Sequence, residues 1–176
     1  MATHSRNLVT RPDEKDLRVS PITTDDLPAV YEIESRSMPF GWSSHIFKSC
    51  LVGPYECWKI EKHTRSQWDV IGYYVLYLLN SHAELCNLCV DVDKQKSGYG
   101  TQLLKHAIER CERNGIESLA LDVRKSNLVA KKLYNGFGFK KVGLRKSYYA
   151  AAVGREDAEV MELCIGKPTR RDTRVV

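Results

Sequence analysis

The sequence predicts one α/β domain: a mixed central sheet of about seven strands with helices on both faces. Three observations predict it. Strand-like and helix-like segments follow one another in the order β α α β β β α β α β β. A strongly amphipathic stretch covers residues 98–114, and a glycine-bearing loop joins it to the strand before it. The 176 residues, 43% hydrophobic and 28% charged, suffice for one core and are too few for two ordinary domains. The domain is placed at residues 17–166, between a flexible N-terminal extension, 1–16, and a basic tail, 167–176.

Alternation in Leu17-Arg18-Val19-Ser20-Pro21-Ile22 marks the first strand, and Thr23 to Asp26 supply capping side chains for a helix in which Leu27, Val30, Tyr31 and Ile33 keep helical spacing. Met38 to Trp42 carries Pro39 and Gly41 and reads as a loop. Ser43-Ser44 opens a second short helix, through Leu51, that Gly53-Pro54 ends. Three strands follow as a meander: Glu56–Lys62, Val70–Leu79 and Ala83–Asp91. In the helix from Gly98 to Asn114, Leu103, Leu104, Ala107, Ile108 and Cys111 share a face, and Asn114-Gly115 stops it. A strand Ser118–Arg124, a Ser126-capped helix Leu128–Asn135, and strands Phe139–Tyr149 and Ala158–Ile165 complete the chain.

The net charge of +5 is concentrated in the tail, where Lys167, Arg170, Arg171 and Arg174 face only Asp172. The body is close to neutral, so direct nucleic-acid binding is not required, and a solvated end is the plainer reading of the tail. It would still attract an RNA-rich partner electrostatically. Six cysteines without a paired framework, and an N-terminus without an apolar signal region, point to a reducing cytoplasm. No apolar run approaches the roughly 20 residues of a membrane span. Cys86-Asn87-Leu88-Cys89 has the spacing of half a zinc site, but alternate strand faces would separate the two thiols, and the five histidines lack ligand spacing, so no metal is expected.

Gln95-Lys96-Ser97-Gly98-Tyr99-Gly100-Thr101 is the sharpest motif. Its glycines admit a ligand close to the backbone, and the free amides of the following helix attract phosphate. A dinucleotide fingerprint would need a third glycine where Leu103 stands, and no Gly-x-x-x-x-Gly-Lys occurs.

Gln95-x-x-Gly98-x-Gly100 resembles motif A of the GNAT acetyltransferases. Leu121 to Asn127, Leu133-Tyr134, Gly138-Phe139, Arg145 to Tyr149 and Gly154 to Ala158 resemble the RimI-type branch, which acetylates the N-terminal alanine of a ribosomal protein. Thr24 to Ala29 and Phe40 to Ser43 extend the likeness over about residues 18–166. The resemblance implies the GNAT (acyl-CoA N-acyltransferase) fold, acetyl-CoA as cosubstrate, and the N-terminus of a protein as partner. It implies that Leu88, Cys89 and Val90 offer backbone groups to pantetheine and that Lys96, Ser97, Gly98, Tyr99, Gly100 and Thr101 surround the pyrophosphate. It also implies that Asn127 contacts the cofactor and that Tyr134 is the general acid for the departing thiolate.

The attacking amine must be neutral. At pH 7 an α-amino group is roughly a tenth deprotonated and a lysine about 0.04%, a difference of about 3.5 kcal/mol that favours the α-amine. Asp122 stands where the resembled family has glutamate, one methylene shorter, and is the first candidate base, acting through a single bridging water. The competing reading pairs Asp122 with Arg124, two residues on and on the same strand face. Glu84, expected on a face with Cys86, Leu88 and Val90, is the second candidate base. Phe40, Trp42, Tyr148 and Tyr149 are candidates for the substrate groove, with at least one of the adjacent tyrosines exposed. Glu32, Glu34 and Asp91 are candidates to attract a substrate cation, with solvated helix surface the plainer reading of the two glutamates. Acetylation of lysine side chains or small amines, and a silent acetyl-CoA-binding module, are the alternatives to N-terminal acetylation.

Overall fold

The computed structural model describes residues 16–64 and 66–166. The expected extension, apart from Asp16, and the basic tail lie outside the described residues. The chain runs β1 (Leu17–Pro21), α1 (Leu27–Ser37), α2 (Ser44–Cys50), β2 (Tyr55–Thr64), β3 (Gln67–Leu79), β4 (His82–Val90), α3 (Tyr99–Arg113), β5 (Ser118–Arg124), α4 (Leu128–Gly136), β6 (Lys140–Ala150) and β7 (Arg155–Cys164). The strands form one seven-stranded sheet, ordered β1-β2-β3-β4-β5-β7-β6, in which β4 and β5 are parallel and every other neighbouring pair antiparallel.

Helices cover both faces. α1 and α2 close one core with Val30, Ile33, Phe47, Tyr73, Val75 and Cys89, whereas α3 and α4 close the other with Leu103, Leu104, Tyr134, Phe139, Tyr74 and Leu76. β3 therefore lies between two layers, which is why its Ile71–Leu76 run is apolar without interruption except at Gly72. A Cβ on Gly72 would meet the Cys89 carbonyl oxygen at 2.8 Å, so the close approach of β3 to β4 requires glycine there.

Two hairpins reach further than hydropathy suggests. The ladder pairs Thr64 with Gln67 and Ala150 with Arg155, so β3 begins three residues before the expected Val70 and β7 three before the expected Ala158. Polar residues at exposed tips are held by backbone pairing, which side-chain periodicity does not report. At the start of α4 the cap is Asn127, whose side chain accepts from the Ala130 amide at 3.0 Å, and not Ser126. The Ser126 amide instead donates to Glu156 at 2.7 Å.

Candidate active site

Parallel pairing of β4 and β5 holds only for His82, Ala83 and Glu84 against Ser118, Leu119 and Ala120. Beyond Glu84 the strands part, which leaves the edge of β4 from Leu85 to Val90 facing a cleft with backbone groups free of that ladder. In the same stretch the β3–β4 register jumps from Leu76↔Leu85 to Val75↔Asn87, so Cys86 is bulged out. The bulge resets the alternation. Leu88 and Val90 point into the α3 layer, Cys86 and Cys89 into the α1 layer. The expected common face for Glu84, Cys86, Leu88 and Val90 is therefore broken, and the two thiols lie in one layer rather than on opposite faces. Among the described residues no group of three or more potential metal-ligating side chains gathers.

The loop after β4 enters α3 through two left-handed residues, Lys96 at φ 61° and Gly98 at φ 86°. Open space surrounds the missing Cβ of Gly98, and Gly100 leaves room against Val90 and Leu133. The first-turn amides of α3 have no partner within the helix, which makes such an end attractive to phosphate, although residues 95–101 line neither cavity of the cleft. Gln95 secures the loop by donating to the Val90 carbonyl at 3.1 Å, an oxygen that also accepts from Ser37 at 3.3 Å. That carbonyl is thus engaged within the protein. Tyr99 turns its ring into the core, so only its backbone is left for a ligand.

The cleft between β4 and β5 encloses about 200 Å³ and is lined by Leu88, Asp122, Asn127, Tyr134 and the α1–α2 loop. A second cavity of about 410 Å³ adjoins it and shares Trp42, Leu85, Cys86, Asp122 and Tyr149, while Glu84, Tyr55, Tyr77 and Tyr148 line the second and not the first. Asp122 stands at the junction. Its partner is Arg145, whose Nε lies 3.1 Å from the carboxylate, and not Arg124, which pairs with Glu156 at 3.3 Å. The β5–β7–β6 register decides this by bringing β6 across the sheet to Asp122. Tyr134 is 8% exposed, and burial pushes its phenol up to about 12. Tyr149 donates to the Asp122 carbonyl oxygen at 2.9 Å, while Tyr148 is exposed, as expected for one of the two.

Residues 27–139 match the acetyltransferase (GNAT) family. The chain belongs to that family. It is 38% identical over 147 residues to the [ribosomal protein bS18]-alanine N-acetyltransferase of Escherichia coli K12, covering 84% of this chain and 97% of the relative. It is 33% identical to the enzyme of that name from Haemophilus ducreyi, over 82% of this chain and 98% of the relative. The crystal structure of the ribosomal-protein-S18-alanine N-acetyltransferase from Escherichia coli superposes with a TM-score of 0.80 at 35% identity, covering 88% and 97% of the two chains.

Two further features of this GNAT site were not legible as such. Asn127 spends its side-chain oxygen on the α4 cap, which leaves its amide nitrogen for a ligand. Glu34 is 1% exposed, not solvated helix surface: its carboxylate lines the cleft and accepts from the Trp42 amide at 2.7 Å, from Asn87 at 3.2 Å and from the Tyr73 hydroxyl. A signal existed, since Leu27, Val30 and Glu34 share one face of α1. Asp91 is taken by Arg36 at 3.3 Å.

Proposed function

We propose that this GNAT enzyme transfers acetyl from acetyl-CoA to the N-terminal α-amine, that of alanine, of a small-subunit ribosomal protein in the cytoplasm. The convergence of Leu88, Asn127, Asp122 and Tyr134 on one cleft, beside the phosphate-attracting start of α3, carries this reading. The near full-length likeness to the bS18-alanine N-acetyltransferases supports the substrate. Acetyl-CoA supplies the thioester whose carbonyl carbon the amine attacks.

In this reading the β4 edge at Leu88, Cys89 and Val90 orients the pantetheine arm, and Lys96 to Thr101 hold the pyrophosphate with Asn127 alongside. Asp122 takes the proton of the attacking amine, directly or through one water. Tyr134, kept neutral by burial, gives its proton to the sulfur as the carbon–sulfur bond breaks. Glu84 lines the second cavity and is the alternative base. Trp42, Phe40 and Tyr149 bound the path of the incoming N-terminus.

The test is CoA release with two peptides, one starting Ala-Arg with a free N-terminus, the other blocked there and carrying a lysine. Turnover of the first alone is expected. Turnover of the blocked peptide would move the assignment to lysine chemistry, and silence with both despite acetyl-CoA binding would reduce the protein to a binding module.

A further inference from the structure

The α1–α2 loop, which carries Phe40 and Trp42, walls the peptide side of the cleft, yet it has few bonds of its own. Its backbone contributes Gly41 N–H to Met38 C=O at 3.2 Å. While the Trp42 ring packs on Phe47 and the Arg124 guanidinium lies over Phe40, the loop's other hydrogen bonds run to Glu34. The Trp42 amide donates to Oε1, Asn87 from the β4 bulge donates to the same oxygen, and Tyr73 from β3 donates to Oε2. The carboxylate therefore joins the loop, the bulge and the central strand at one buried point. Gly41 lies so close that a Cβ there would stand 2.7 Å from Oε1 and 2.8 Å from Cδ of Glu34.

We propose that Glu34 is a positioning residue that fixes the α1–α2 loop against the β4 bulge and thereby sets the peptide-binding wall of the cleft. This rests on the proposed N-terminal acetylation. The role needs acceptors in place, not negative charge. A glutamine keeps an oxygen for Trp42 and Asn87, and its amide nitrogen can donate to a Tyr73 hydroxyl that rotates to accept. Alanine removes both acceptor oxygens and with them all three hydrogen bonds, whereas Gly41→Ala keeps the carboxylate but forces it and the loop apart.

Steady-state kinetics with the free-ended alanine peptide, acetyl-CoA binding by calorimetry, and thermal melting of wild type, Glu34→Gln, Glu34→Ala and Gly41→Ala test this. Glu34→Ala and Gly41→Ala are expected to raise the peptide KM about tenfold or more, with acetyl-CoA affinity within about twofold, while Glu34→Gln stays within about threefold of wild type. An unmoved peptide KM in Gly41→Ala, or acetyl-CoA affinity falling in step with it, overturns the proposal. So does a Glu34→Gln as impaired as Glu34→Ala, which would assign the charge itself a role. If Glu34→Ala does not fold, Gly41→Ala decides. A wild type silent on the peptide sinks the functional reading and this inference together, whereas wild-type turnover with unmoved variants sinks this inference alone.

Discussion

Tyr134 and Asp122 come from separate elements, α4 and β5, and meet only because the sheet opens between β4 and β5. With its phenol pushed up to about 12 by burial, Tyr134 keeps its proton throughout the range in which an α-amine deprotonates. The pH–rate profile should rise through the ionisation of the α-amine and stay level to about pH 10. A decline centred near pH 10 would show a tyrosine of ordinary acidity and contradict the buried phenol. Tyr134→Phe should lower kcat by about a hundredfold or more while acetyl-CoA affinity, measured by calorimetry, holds. Asp122 lines both cavities and Glu84 only the second, so Asp122→Asn should cost at least about tenfold more in kcat/KM than Glu84→Gln. The reverse order would make Glu84 the principal base.

At the scale of elements, the start of α3 and the start of α4 flank the cleft with different devices. α3 begins at a left-handed glycine, and Gly98→Ala at φ 86° should introduce about 1–2 kcal/mol of strain. Because that strain falls on the loop, weaker acetyl-CoA binding with an almost unchanged α3 is the expected outcome, read by calorimetry and circular dichroism. α4 begins at a side-chain cap, and Asn127→Ala should lose about 1 kcal/mol of stability in urea unfolding. The α3 motif was legible because glycine spacing and amphipathic period coincide there. The α4 cap is ambiguous by sequence, since Ser126 and Asn127 are both capping types and only the backbone geometry distinguishes them.

Across the whole molecule, partly and fully buried carboxylates tie β1, β2 and α3 together. Arg110 holds Glu56 below the usual carboxylate range against the opposing effect of burial. Burial pushes Glu61 up, but bonds from Arg18, Ser20 and Lys59 outweigh it, so its folded value is also depressed. A carboxyl depressed in the folded state contributes stability above its unfolded value, near 4.3, and loses it as pH falls toward the folded value. The urea midpoint should therefore fall in two stages, first below about pH 6.5, where His106, held below its usual imidazole value by burial, must take up a proton, and again below about pH 4.5, with the second fall shallower in Glu56→Gln. A first fall that survives in His106→Gln, or a second that is unchanged in Glu56→Gln, would point to other groups.

Element order, the seven strands and the glycine loop before α3 were already legible in the chain, and four of the residues that the family resemblance singles out, Leu88, Asp122, Asn127 and Tyr134, line the cleft. These depend on local periodicity and on spacing along the chain, which neighbours in sequence encode. Which charges meet depends on strand register across the sheet. Asp122 and Arg124 share a strand face, yet β6 brings Arg145 to Asp122 and β7 brings Glu156 to Arg124. A single bulged residue, Cys86, reversed the expected facing of Leu88 and Val90, because strand alternation is counted from a register that side-chain pattern does not fix. Glu34 became a buried clamp for the same reason: its partners are contributed by β3, the β4 bulge and the α1–α2 loop, and a carboxylate can be buried only where such donors converge.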